Sequence, residues 1–440
     1  MPGIEAKIKQ WFDIVDEKAE KAGQRISRAK REYDLSSSVR RVVGETKITD
    51  IHTHLYTPGF GELLLWGVDE LLTYHYLVAE TMRWVDIPYD KFWAMSKREQ
   101  AELIWKTLFI DHSPISESCR GILTCLERLG LDTASRDLNS YRKYFAEQEV
   151  EQFVDTAFEA ANLESVIMTN DPFDDLERPS WLAARQIDPR FHAALRIDGL
   201  LNTWDTAVPK LNEWGYAVQA DFSGSTIAEV RRFLREWLAR MNAVYMAVSL
   251  PPTFAFPEDS SRGRLIADCV LPVAEETGKP FAMMIGVKKL TNPALRLAGD
   301  SVGKSNIDVV EYLCANYPNA KFLVTMLARE NQHELCVAAR KFRNLHVFGC
   351  WWFLNDPSII DEMTRMRLEL IGLSMTPQHS DARVLDQVVY KWAHSRDIIG
   401  GVLAEKYCDL SATGWMPTED EIRRDIAGLF GGNFWQFVNH

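Results

Sequence analysis

From about residue 151 onward, apolar positions gather in short runs, each followed by a stretch in which they recur every three or four residues. The runs are Ser165–Thr169, Phe191–Arg196, Val244–Ser249, Phe281–Ile285, Lys321–Thr325, Leu345–Gly349 and Ile371–Thr376. Short continuous apolar runs of this kind predict strands buried on both faces. The stretches between them, such as Ser225–Arg240 and Asn331–Phe342, predict amphipathic helices. An earlier run, Ile48–His54, opens the series and brings it to eight β units. Eight strands alternating with helices imply an α/β fold, a parallel sheet closed into a (β/α)8 TIM barrel.

Two segments do not fit that rhythm. Residues 1–47 read as an N-terminal helical extension, with Ile4, Ile8, Trp11, Phe12 and Val15 as an apolar stripe. Its cluster Arg25, Arg28, Lys30 and Arg31 resembles an RNA-binding patch in isolation. Glu32 and Asp34 follow at once, so a solvated helical face is the better reading. Residues 48–61 hold the first strand and a turn at Pro58, Gly59 and Gly61. Residues 62–148 then read as helical throughout, as at Leu103, Ile104, Thr107 and Leu108, and form a helical insertion after strand 1. Residues 149–440 supply the remainder of the barrel and the C-terminal helices. Ligand sites favour such junctions between units.

The first strand ends in His52-Thr53-His54. Side chains alternate along a strand, so the two imidazoles share one face while Thr53 points away. Two histidines so placed can grip one metal ion; the plain alternative is a pair satisfied by hydrogen bonds in a loop. Barrel enzymes carry their chemistry at the C-terminal ends of the strands. The polar residues expected there, besides the two histidines, are Thr169, Asn170, Asp171, Arg196, Asp198 and Ser249. Lys288, Lys289, Arg329, Trp351, Trp352, His379, Ser380, Asp381 and Arg383 complete the set. Many such positions simply cap the next helix.

Asp381 is the best third ligand, because strand 8 neighbours strand 1 in a closed barrel. It is equally placed to cap a helix beginning near Ala382. Arg383 beside a metal makes sense with an anionic ligand present, or as half of a plain ion pair. Strands 4 to 6 end in Ser249-Leu-Pro-Pro252, Gly286-Val-Lys288 and Met326-Leu-Ala-Arg329, none of which supplies a ligand set for a second metal. One mononuclear site with open positions follows, if any metal binds. In the insertion, Tyr74-His75-Tyr76 alone would mean little.

Composition narrows the function classes. The chain has 440 residues, 46% hydrophobic and 25% charged, with a formal net charge of −12. That charge disfavours nucleic acid and anionic membranes as partners. No apolar run is long enough to span a bilayer, and the start has no signal-peptide core. Seven scattered cysteines without a CxxC pair suit a reduced, cytoplasmic chain. A homo-oligomer is expected.

The His52/His54 pair, His75-Tyr76 in a helical insertion after strand 1, Trp351-Trp352-Phe353 and Asp381-Ala382-Arg383 occur in an order that resembles the uronate (glucuronate) isomerases of the amidohydrolase superfamily. The stretch Gly299-Asp300-Ser301-Val302-Gly303 is similar to that family's loop after strand 5, and the resemblance covers about residues 48–440. It implies a distorted (β/α)8 barrel. It further implies His52, His54 and Asp381 as ligands of one divalent ion, zinc first, with His75, Tyr76, Arg196, Trp352 and Arg383 lining the site of a small sugar acid. The chain departs from the family at strand 5, where Met283, Met284 and Ile285 stand in place of a histidine. It departs again where Leu77 and Val78 replace basic residues.

The implied reaction is aldose–ketose isomerisation of D-glucuronate to D-fructuronate, of D-galacturonate to D-tagaturonate, or of both, through an enediol. That needs a base near C2, stabilised oxyanion charge and a clamp on the carboxylate. Arg196 or Arg383 can hold a carboxylate bidentately. Tyr76 can be the base if a cation such as Arg383 lowers its pKa from about 10; Asp381 can shuttle a proton during ring opening. Two other readings stay open, a mononuclear metal-dependent hydrolase or decarboxylase on the same barrel and a non-catalytic barrel that binds a sugar acid.

Overall fold

The computed structural model describes residues 2–439, with residues 2–8, 12, 16, 19, 23 and 24 described by their backbone alone. Its strands are β1 (Ile48–Thr53), β2 (Leu163–Asn170), β3 (Phe191–Arg196), β4 (Met246–Leu250), β5 (Phe281–Ile285), β6 (Val287–Lys288), β7 (Ser301–Val302), β8 (Phe322–Met326) and β9 (Leu345–Val347). One parallel sheet runs β1-β2-β3-β4-β5-β8-β9, while β6 and β7 form a short antiparallel pair in the loop after β5. Strand residues alternate between two apolar layers. Ile167, Ala194, Ala247, Ala282, Met284 and Leu323 pack inside the curled sheet with Tyr245 and Phe348. Their chain neighbours Val166, Met168, Leu195, Val248, Met283, Ile285 and Val324 pack outward in the larger core. This is the layering of an α/β TIM barrel. The C-terminal helix Asn433–Asn439 adds Phe434 and Val438 to the inner layer.

The eighth position is where the barrel is distorted. The run Ile371–Thr376 does not form the expected strand: Ile371 is the last residue of the helix Pro357–Ile371, and Gly372 with φ +62° turns the chain out of it. Only Thr376 pairs, as a single parallel bridge to Phe348. Pro377 follows, and a residue without an N–H cannot continue a ladder. The segment 376–384 nevertheless closes on β1. The Asp381 N–H donates to the His52 carbonyl at 3.2 Å, and the His54 N–H donates to the Ala382 carbonyl at 2.7 Å.

Gly349, just past β9, makes room for this closure. It sits at φ +66°, and a Cβ there would lie 1.6 Å from His379 Nδ1. Gly349→Ala is expected to cost about 2–4 kcal/mol from left-handed strain plus overpacking, read as a shift of the urea unfolding midpoint.

The interval 62–148 contains no strand; the expectation of continuous helix meets a series of shorter ones. They include Val68–Leu72, His75–Thr81, Tyr89–Ala94, Lys97–Trp105, Glu117–Arg128 and Leu138–Ala146. Ser96 and Ser116 start two of them by accepting a backbone N–H through the side chain. The helix Pro2–Glu45 buries Val39, Val42 and Val43 near its end and packs on the helix Gln387–Ala412. Of the expected stripe, Ile4, Ile8 and Phe12 lie outside the described side chains, and Trp11 and Val15 are exposed. Arg28 pairs with Glu32 in solvent, as a solvated face would. No helix among the described residues is long and apolar enough to cross a membrane.

Candidate active site

The closure between β1 and the segment 376–384 brings the two histidines and the aspartate together. His54 Nε2 lies 3.3 Å and His52 Nε2 3.6 Å from Asp381 Oδ1. One ligand atom from each residue falls within 4.8 Å of the others. The β1–β2 register shifts between Asp50 and Thr53, so the strand end is irregular where it meets the site.

Surrounding hydrogen bonds decide how His52 presents itself. The Tyr245 hydroxyl donates to the Ile51 carbonyl at 2.8 Å, and the Thr169 hydroxyl donates to the Thr53 carbonyl at 2.6 Å. With both protons spent, the two oxygens can only accept from His52 Nδ1, at 3.4 and 3.5 Å. The Nδ1–H tautomer leaves the Nε2 lone pair facing Asp381. Burial, then His54, pushes the His52 pKa down to about 3, and burial, then Arg383, holds His54 well below the usual histidine range. His52 Nε2 and Asp381 Oδ1 are buried and make no hydrogen bond among the described residues. Acceptors that face one another with no proton between them are costly unless a cation sits among them. Two imidazole nitrogens and a carboxylate oxygen fit a divalent ion such as zinc. We expect about one zinc per chain by elemental analysis, lost in His54→Ala.

Of the other expected residues, Arg196 and Arg383 bear electrostatically on His54, and Asp381 bears on His75. His75 opens the helix His75–Thr81; its ring lies 4.6 Å from Tyr76 and 5.6 Å from Trp352, centroid to centroid. His75 Nε2 and Trp352 Nε1 are buried without hydrogen-bond partners among the described residues, and the Tyr76 hydroxyl is buried beside the Tyr74 phenol. Burial, then Arg383, holds His75 well below the usual histidine range. These three residues line a cavity of about 260 Å³ that also touches Glu117, Asp300 and Asn355. A larger cavity of about 650 Å³, lined by Lys321, Arg343 and Phe437, contains none of the expected residues.

The cations separate into two kinds. Arg196 donates through Nε and Nη2 to Asp198 at 2.9 and 3.1 Å. Burial opposes its charge, but Asp198 and Asp171 outweigh that and hold its pKa above the ordinary value. Lys289 pairs with Asp300, and Arg329 pairs with Glu362 in solvent. Arg383 differs, for its guanidinium makes no hydrogen bond or ion pair among the described residues, while its charge bears on His54 and His75.

Tyr76 can serve as the base only where a cation such as Arg383 lowers its pKa; burial, then Tyr74 and Asp381, push it well above the usual phenol value instead. The alternative role of Asp381 as a helix cap also falls away, because no helix starts at Ala382 and the next one begins at Gln387.

Two buried neighbours carried no role in the sequence. His379 packs 5.2 Å from His52 and 5.3 Å from Phe348, and neither of its nitrogens finds a protein partner among the described residues. Lys391 lies in the interior of the helix Gln387–Ala412 and is buried, and strand-end reasoning had no access to it.

No family model and no curated protein matches the chain. Among solved structures it is similar to a uronate isomerase from Bacillus halodurans C-125, with 61% identity over 93% of this chain and 97% of that one and a TM-score of 0.92. A uronate isomerase from Thermotoga maritima shares 16% identity over 91% of this chain and 97% of that one, at a TM-score of 0.73. A glucuronate isomerase from Caulobacter crescentus shares 15% over 93% and 94%, at 0.74. The last two share the fold.

Proposed function

Because the chain belongs to the uronate isomerase family, we propose that it interconverts a six-carbon uronic acid and its keto-uronate, D-glucuronate and D-fructuronate first. One observation carries the reading. The charge of Arg383, whose guanidinium has no partner among the described residues, bears on His54 and His75 beside the buried acceptors of His52 and Asp381, so the site offers a carboxylate clamp beside a place for a cation.

In the reaction the C2 hydrogen leaves as a proton, the electrons form a C1–C2 enediol, and a proton is returned at C1. The O2 hydroxyl gives up its proton and O1 gains one as the carbonyl moves from C1 to C2. Arg383 holds the substrate carboxylate by two parallel N–H bonds. Arg196, half engaged by Asp198, adds positive charge to the same mouth. A divalent ion at His52, His54 and Asp381 supplies polarisation of the substrate's carbonyl and hydroxyl oxygens when bound. Tyr76 exchanges the proton with the substrate, and because burial keeps its phenol neutral, the exchange needs Arg383 and substrate alongside. His75 and Trp352 present their unpartnered N–H or nitrogen to the sugar hydroxyls and close the site against water. Six of the seven cysteines are buried and all are unpaired, which supports a cytoplasmic setting.

The test is conversion of D-glucuronate and of D-galacturonate by the metal-loaded chain, followed as keto-uronate by NMR. Formation of either keto-uronate is expected. Release of carbon dioxide, or cleavage of a uronate derivative without isomerisation, would move the protein to the hydrolase or decarboxylase reading.

A further inference from the structure

Asp381 reaches the two histidines from a conformation that side-chain-bearing residues rarely keep, with φ at +53°. Something must hold the backbone there, and the peptides around Ser380 show what does. The Ser380 N–H donates to Asp50 at 3.0 Å to Oδ1 and 3.3 Å to Oδ2. The Ser380 carbonyl accepts from Lys391 Nζ at 2.6 Å and from Asn355 Nδ2 at 3.1 Å. Asp50 is fixed in turn by Trp392 Nε1, which donates to Oδ2 at 2.8 Å. Lys391 and Trp392 are consecutive residues of the helix Gln387–Ala412, so one helix supplies the ammonium on one side and steadies the carboxylate on the other.

Both charges are deeply buried: Asp50 is 0% exposed and Lys391 is 3% exposed. They form no direct ion pair; the turn at Ser380 lies between them. A buried ammonium is expensive, and a neutral donor would satisfy one carbonyl at lower cost. The structure therefore asks for a reason to keep a lysine here. We propose that Lys391 and Asp50 are positioning residues that clamp the backbone around Ser380 and thereby aim the Asp381 carboxylate at His52 and His54. They set the affinity of the centre for a divalent cation without touching the cation. The inference rests on the metal reading of the site given above.

The sign of one experiment separates this role from a purely electrostatic one. An ammonium close to a cation site repels the cation, so if charge alone mattered, removing Lys391 would tighten metal binding. If the clamp matters, removing it loosens binding. Zinc alone is titrated against a chromophoric chelator for the full-length parent, Lys391→Met, Asp381→Ala and the double variant, with unfolding midpoints recorded in parallel. Lys391→Met is expected to weaken zinc by about 10–100-fold, as loss of an outer support of a metal ligand does. In the Asp381→Ala background it is expected to change the residual affinity by less than about threefold, because its effect runs through Asp381.

Equal or tighter zinc binding by Lys391→Met overturns the proposal, as does an equal loss in the Asp381→Ala background. Should Lys391→Met fail to fold, Lys391→Gln, a shorter polar side chain, is read by the same criteria. A parent chain that takes up no zinc would refute the metal reading itself; a parent that binds zinc no better than the folded Lys391 variants would refute the clamp alone.

Discussion

Tyr76→Phe is expected to lower kcat by about 10²–10⁴-fold, the usual contribution of a positioned proton-transfer group, with metal content unchanged and the unfolding midpoint close to the parent's. The substitution removes one oxygen and leaves the ring. That ring packs against His75 at 4.6 Å and Phe353 at 6.4 Å, contacts that phenylalanine keeps. The hydroxyl it deletes is buried, and the Tyr74 phenol is its one hydrogen-bonding neighbour among the described residues, so at most one hydroxyl contact is lost. Stability should fall by no more than about 1 kcal/mol. A folding defect would therefore not explain a lost rate. Parent-like turnover in the folded, metal-loaded variant would make Tyr76 a packing residue and place the base elsewhere.

The second large effect is expected at Arg383. The parent should prefer D-glucuronate to D-glucose by about 2 kcal/mol in kcat/KM, the low end for an unpaired charge, because Arg383 is half-buried. Arg383→Met should erase most of that preference by lowering kcat/KM for glucuronate. The same change at Arg196 should do less, because two of its N–H groups already belong to Asp198. Equal effects at the two arginines would show that the carboxylate is shared between them. An unchanged preference in Arg383→Met would remove the clamp from this residue.

Much of the barrel was legible in the chain because its strands are buried on both faces. Phe191–Arg196 and Phe281–Ile285 coincide with their apolar runs, and the others differ by a residue or two at their ends. The eighth position was not legible. The residues before Gly372 have helical spacing and belong to the helix Pro357–Ile371, while Pro377 prevents a regular ladder. The barrel closes there through a few backbone hydrogen bonds from Asp381 and to Ala382, and pairing of that kind leaves no apolar pattern to read.

The site divides along similar lines. His52 and His54 declared themselves by their spacing, and Asp381 by the neighbourhood of strands 1 and 8 in a closed barrel. Arg196 and Arg383 looked alike in sequence; only the structure shows one engaged by Asp198 and the guanidinium of the other free of a partner among the described residues. Whether the condition on Tyr76 is met was not legible for a related reason. Burial depends on how the helix His75–Thr81 seats over the barrel mouth, and residue order does not carry that. Lys391 and Asp50 escaped notice because each looks ordinary alone. Their common target, the backbone at Ser380, lies more than 300 positions from Asp50 along the chain but touches it in the fold.

The most direct test of the account is turnover of D-glucuronate by one preparation in three states: metal-loaded, stripped by a chelator, and reconstituted with about one equivalent of zinc per chain. D-fructuronate is expected from the first and third states and little or none from the second, with the metal bound only while His52, His54 and Asp381 are intact. A fully loaded chain that leaves D-glucuronate unchanged, or a stripped chain that isomerises it at the loaded rate, would contradict it.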